Sequence, residues 1–84
     1  MNEINYKKDE EEYYNHPEYI AENRNTSAEI LAELAKDSSI YVSYRVAKNP
    51  NTDLNTLVKL TNHLYEDVRI AAKENRMNRI GLLK

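Results

Sequence analysis

Few side chains in this 84-residue chain combine the type and spacing that chemistry requires. The two histidines, His16 and His63, form no His-x-x-x-His or Glu-x-x-His pair, so no helix face presents two metal ligands. Both read as polar residues at helix starts. Ser27, Ser38, Ser39 and Ser43 lack the strand-turn-helix setting of an activated nucleophile and read as caps or exposed residues. Asp9, Glu10, Glu11 and Glu12 imitate a paired-carboxylate site. Four consecutive acids splay apart in water, however, and nothing beside them excludes solvent to shift a pKa. Zero Cys excludes a disulfide scaffold, a thiolate zinc site, an iron–sulfur cluster and a cysteine nucleophile. One Gly excludes a Rossmann fingerprint and a P-loop, whose backbones approach phosphate through several glycines. The sequence therefore predicts no enzyme, no cofactor and no metal.

Two other groups of residues are better suited to binding. Tyr6, Tyr13, Tyr14 and Tyr19 are interleaved with seven acids between Glu3 and Glu22. Tyr offers large contact area and a polar tip at low entropic cost, which makes Glu10, Glu11, Glu12, Tyr13, Tyr14 and Tyr19 the candidate partner-binding residues. The competing reading is that Tyr19 plugs the fold and the rest are solvated, since a chain without Phe must use Tyr as its aromatic filler. Arg45, Lys48, Lys59, Arg69, Lys73, Arg76 and Arg79 are spread over the second half, where a basic stripe could neutralise phosphates. Residues 1–37 carry ten acids and four bases, net −6, and residues 38–84 four acids and eight bases, net +4. The overall −2 and the lack of an aromatic–basic motif argue against nucleic acid as the partner.

The elements that must position these residues are helical. Leu, Ile and Val number 18, about 21% of the chain, enough for one thin core. Few Gly and Pro argue against a hairpin-rich β fold. No apolar run approaches the ~18 residues of a membrane span, and Met1 to Glu12 is polar and acidic, unlike a signal peptide. A cytoplasmic protein is expected.

The chain also resembles itself. A shift of 26 places Ala21 on Ala47, Asn23 on Asn49, Asn25 on Asn51, Thr26 on Thr52, Leu31 on Leu57 and Leu34 on Leu60. The same shift places Val42 on Val68, Tyr44 on Ile70, Val46 on Ala72, Asn49 on Asn75, Thr52 on Asn78 and Leu57 on Leu83. Each unit reads as two short helices. The first helix opens at Pro17, where a missing N–H costs nothing, and ends near Asn23 in a left-handed cap. Thr26 and Glu29 form a capping box for the next, whose broad buried face includes Ile30, Leu31 and Leu34. Asp37 or Ser38 caps a helix with Ile40, Val42, Tyr44 and Val46 apolar, which Asn49-Pro50 breaks. Thr52 starts another, with Leu54, Leu57, Val58, Leu60 and Thr61 inward. Asn62 or His63 starts the next, with Leu64, Val68, Ile70, Ala71 and Ala72 apolar. Asn78 reopens the cap slot before Ile80, Leu82 and Leu83. Asn23, Asn49 and Asn75 form a ladder better suited to satisfying loop backbone in the adjacent unit than to holding a ligand.

Val46-Ala47-Lys48-Asn49-Pro50-Asn51-Thr52 with Leu54, Leu57 and Leu60, followed by Val68 to Asn75, resembles the variant leucine-rich repeat. The resemblance covers about residues 16–84. It implies an all-α, short right-handed solenoid of about two and a half units and an association with interaction surfaces. It brings no catalytic residue, and the cysteine-bound cluster of some members is absent with the cysteines. HEAT-like repeats are the neighbouring alternative, with longer units.

The expected organisation is an acidic tail or extra helix over 1–14 and a repeat domain over 15–84, with units at about 15–37, 38–63 and 64–84. The expected function is non-catalytic binding of another protein with a basic surface. An acidic mimic of nucleic acid that inhibits a nuclease is the alternative, and nucleic-acid binding through the basic half is the third. A homodimer through Ile80, Leu82 and Leu83 is compatible with all of them.

Overall fold

A computed structural model gives the fold and describes residues 15–37 and 39–81. Among them the chain is all-helical, with no strand. Helix α1 is Pro17–Glu22, α2 Ala28–Leu34, α3 Ile40–Lys48, α4 Leu54–Leu60 and α5 Glu66–Ile80. Helix α3 packs against α1 on one side and α5 on the other. Helix α2 lies against α1 and α3, and α4 against α3 and α5. The core between these two rows holds Ala21, Leu31, Val42, Val46, Ala47, Leu57, Leu60, Val68, Ala71 and Ala72, with Leu34, Ala35 and Ile40 at its rim. Ala21 and Ala47 are fully enclosed. A larger side chain at either would push neighbouring helices beyond the usual 8–10 Å separation.

The helix starts correct the capping scheme in one consistent way. Thr26 does not cap α2. Ser27 does, its Oγ accepting from the Ile30 N–H at 3.3 Å. The Thr26 hydroxyl instead donates to the Ile20 carbonyl at 2.7 Å, tying off the end of α1. Thr52 likewise donates to the Val46 carbonyl at 2.6 Å, and Asp53 caps α4 by accepting from the Thr56 N–H at 2.8 Å. Each Thr thus serves the helix behind it and leaves the next residue to serve the helix ahead. Helix α3 is capped by Ser39, whose own N–H is held by the Asp37 carboxylate at 2.8 Å. The helix predicted from Asn62 or His63 begins later, with Tyr65 as its N-cap residue. The reason is local: His63 Nδ1 accepts from the Tyr65 N–H at 3.1 Å, and Arg69 reaches back to the His63 and Leu64 carbonyls, both at 2.9 Å.

The helix ends differ too. Asn23 and Asn49 both take extended backbone, φ −73° and −75°, rather than the left-handed cap expected at Asn23. Nor does Asn78 open a new helix, because α5 runs unbroken to Ile80. The positions matching Pro50 and Asn51 are Arg76 and Met77, both good helix formers. Gly81, with φ 81°, ends α5 in the left-handed region that only glycine enters without cost.

The buried face is also narrower than the apolar pattern suggested. Ile30, Leu54, Val58, Leu64, Ile70 and Tyr44 are exposed. Each helix encloses only the stripe of side chains that its neighbours cover.

Asp53 supplies a test of the caps. The backbone and side-chain hydrogen bonds of Thr56 hold its carboxyl below the ordinary aspartate value of 3.8. Asp53→Ala is expected to lower stability by about 1 kcal/mol at neutral pH. A depressed folded pKa contributes stability that is complete above the unfolded pKa, about 3.9, and is lost as pH falls through the lower folded value. Denaturant titrations at pH 7 and below pH 3 check this. The gap between wild type and Asp53→Ala should close in acid, and a gap that persists there would assign the loss to packing.

Candidate binding surface

The asparagine ladder is engaged within the fold through the Asn49 and Asn75 amides. Asn49 Nδ2 donates to the Ala21 carbonyl at 2.8 Å and the Asn23 carbonyl at 2.9 Å. Asn75 Nδ2 donates to the Ala47 and Asn49 carbonyls, both at 2.9 Å. The acceptors are themselves 26 residues apart, as the donors are. The Oδ1 atoms are also taken: Asn23 accepts from the Asn25 N–H and Asn49 from the Asn51 N–H, each at 2.9 Å. Asn51 Nδ2 donates across to the Arg24 and Thr26 carbonyls at 2.8 and 3.0 Å. Where α5 replaces the third loop with helix, Arg79 takes over this task. It donates to the Thr52 carbonyl, the equivalent of Thr26, and to Asn75 Oδ1 at 2.9 Å. Leu31 and Leu57 are fully enclosed, while Asn78 is exposed on α5.

Among the described residues, no group of three His, Cys, Asp or Glu side chains is placed to hold a metal ion. His63 is engaged in its turn, and His16 precedes α1 without a side-chain cap bond. Ser27 and Ser39 are caps, and buried Ser43 donates to the Asp37 carbonyl at 3.5 Å. Every buried polar side-chain atom described has a partner. Of the basic residues, Arg45 pairs with Glu22 at 2.7 Å, and Arg69 and Arg79 bond backbone carbonyls. Lys59, Lys73 and Arg76 are exposed.

Two open cavities lie across α1, α3 and α5. Tyr41, Tyr44 and Lys48 occupy one side of α3 at the i, i+3, i+7 spacing of a helix face. Asp67, Ile70 and Glu74 repeat that spacing on α5, each 26 residues after its counterpart. On α1 the matching positions of the last two rows are Glu18 and Glu22. Tyr41 is 66% exposed, Tyr44 38% and Ile70 46%. Between α3 and α5 lies a cavity of about 490 Å³, lined by Tyr44, Lys48, Asp67, Ile70 and Glu74 among others. A second, of about 380 Å³, lies between α1 and α3 and shares Tyr44 and Lys48. Lys48 Nζ stands 5.5 Å from the centre of the Tyr44 ring, a cation–π distance that orients both side chains.

The residues singled out for binding from the sequence are mostly elsewhere. Glu10, Glu11, Glu12, Tyr13 and Tyr14 lie outside the described residues, as do Ser38, Leu82 and Leu83. Tyr19 is half-buried on α1, and Ile80 is exposed at the end of α5. In the sequence Tyr44 and Ile70 read as apolar helix positions, and their types alone do not say which face they share. Their alignment at the 26-residue shift was the available signal.

No family model, curated protein or solved structure matches the chain.

Proposed function

We propose that the chain is a short helical-repeat module that binds another protein and performs no catalysis. The observation that carries this is the exposed Tyr41–Tyr44–Ile70 surface, whose Tyr44 is shared by two adjoining cavities across three helices. Aromatic side chains held on rigid helices bury large area on binding at small entropic cost. The recurrence of the Asn49 and Asn75 bonds 26 residues apart supports the helical-repeat reading, with the resemblance to variant leucine-rich repeats.

The test is comparative capture from source cells. Replacing Tyr41 and Tyr44 by Ala is expected to weaken capture of the principal partner about tenfold or more, with the far-ultraviolet circular dichroism of wild type. A parallel variant, Tyr13→Ala with Tyr14→Ala, separates the two candidate surfaces. Loss of capture in that variant alone would place the contact on the acidic N-terminal segment and remove the Tyr44 surface from the proposal.

A further inference from the structure

We propose that the occupant of the groove between α3 and α5 is a basic amphipathic helix of the partner protein, anchored by aliphatic side chains against Tyr44 and Ile70. This deepens the binding reading above and rests on it. The first argument is charge. Asp67 and Glu74 stand on the α5 wall of the groove. Neither forms an ion pair among the described residues. Against these two carboxylates the groove presents one ammonium, Lys48, already drawn to the Tyr44 ring. A phosphate backbone would meet net repulsion here, and a cationic segment net attraction.

The second argument is spacing. Asp67 and Glu74 are seven residues apart on α5, about 10 Å along the helix axis. A helix lying along the groove presents residues i and i+7 on one face at the same separation. Lys or Arg at those positions would meet the two carboxylates. Residues i+3 and i+4 would then fall between them, over Ile70 and Tyr44. An extended segment covers that distance in about three residues, which puts successive charges on opposite sides of the chain. The cavity of about 490 Å³ gives the anchor a concave seat, within the range of ~300–1,000 Å³ that ligand pockets occupy.

The experiment titrates the intact chain, followed by ¹⁵N–¹H spectra, with helical peptides of fixed design. One carries Lys at i and i+7 with Leu at i+3 and i+4 on an Ala background. A second has Glu in place of both Lys. The Lys peptide should shift the Tyr44 and Ile70 signals and bind about tenfold tighter than the Glu peptide, with the difference shrinking as salt rises. The double variant Asp67→Asn with Glu74→Gln should remove most of that preference while leaving the helical signal unchanged. Equal binding of both peptides at these residues, or tighter binding of the Glu peptide, would overturn the basic-helix proposal and leave the binding surface standing. Shifts caused by a DNA oligonucleotide or by raising protein concentration alone, without response to the Lys peptide, would likewise overturn it in favour of nucleic acid or a second copy. Silence from every probe overturns it too. The Tyr41 and Tyr44 capture experiment then decides the broader reading independently, because it uses the natural partner.

Discussion

Leu57→Ala is expected to remove about 2–5 kcal/mol of unfolding free energy. Leu57 is fully enclosed on α4, which packs against both α3 and α5. Truncation loses the transfer free energy of the side chain and opens a cavity that these short helices can only partly close. At about 0.05–0.15 kcal/mol per residue, a chain of 84 residues holds a total of order 4–13 kcal/mol. Toward the lower end of that range the variant would sit near the edge of folding. Urea titration reads the effect as a lower midpoint at an unchanged slope. Leu31→Ala, 26 residues earlier and equally enclosed, should behave the same way. Val58→Ala is the control: its side chain is exposed beside Leu57, and its loss should change stability by no more than ~0.5 kcal/mol. Equal costs at positions 57 and 58 would contradict the placement of α4.

That contrast between neighbours shows where the fold was legible and where it was not. The break at Asn49-Pro50 could be read because proline restricts the residue before it whatever the surroundings. Leu31 and Leu57 belong to the apolar sets expected inward and are enclosed, though recurrence at one shift does not by itself imply burial, since Tyr44 and Ile70 recur as well and are exposed. The inward face of α4 was not legible, because a seven-residue helix carrying Leu54, Leu57, Val58 and Leu60 offers apolar residues to more than one side. Only the neighbouring helices decide which stripe is covered. Which residue caps each helix is not legible for a related reason. Thr26-Ser27 and Thr52-Asp53 each place two capping residues side by side, and the choice depends on which oxygen meets a carbonyl six residues back. The end of α5 is not legible from the alignment, because Asn78 matches Thr52 while Met77 lacks the amide that lets Asn51 hold the preceding loop. Arg79 performs that task from within the helix, a substitution of donor type that residue-by-residue alignment does not reveal. Tyr44 and Ile70 were visible as a pair, but their exposure depends on the separation of α3 and α5 rather than on their types.

Asn49→Ala is expected to cost about 2–4 kcal/mol, comparable with the loss of a core leucine, because it strands the Ala21 carbonyl and removes the side-chain donor from the Asn23 carbonyl, which keeps only the Thr26 N–H. Asn49 is only 2% exposed, so water has little access to replace the lost donor. It also removes the acceptor for the Asn51 N–H. Asn49→Asp separates hydrogen bonding from packing, since the side chain keeps its shape but a carboxylate has no hydrogen to donate. At neutral pH its negative charge faces two carbonyl oxygens, and it should be less stable than Asn49→Ala. Protonation restores one donor, so the folded state binds that proton more tightly than the unfolded chain and the carboxyl pKa rises above its unfolded ~3.9. A raised carboxyl pKa makes the folded state lose ground as pH climbs through the interval between the two values. Measured against Asn49→Ala at each pH, Asn49→Asp should therefore gain stability as pH falls from 7 toward 4. Taking the difference between the variants cancels carboxylates common to both, Asp53 included. A difference that does not vary with pH would mean that the space Asn49 fills, and not its amide donor, holds the two loops together.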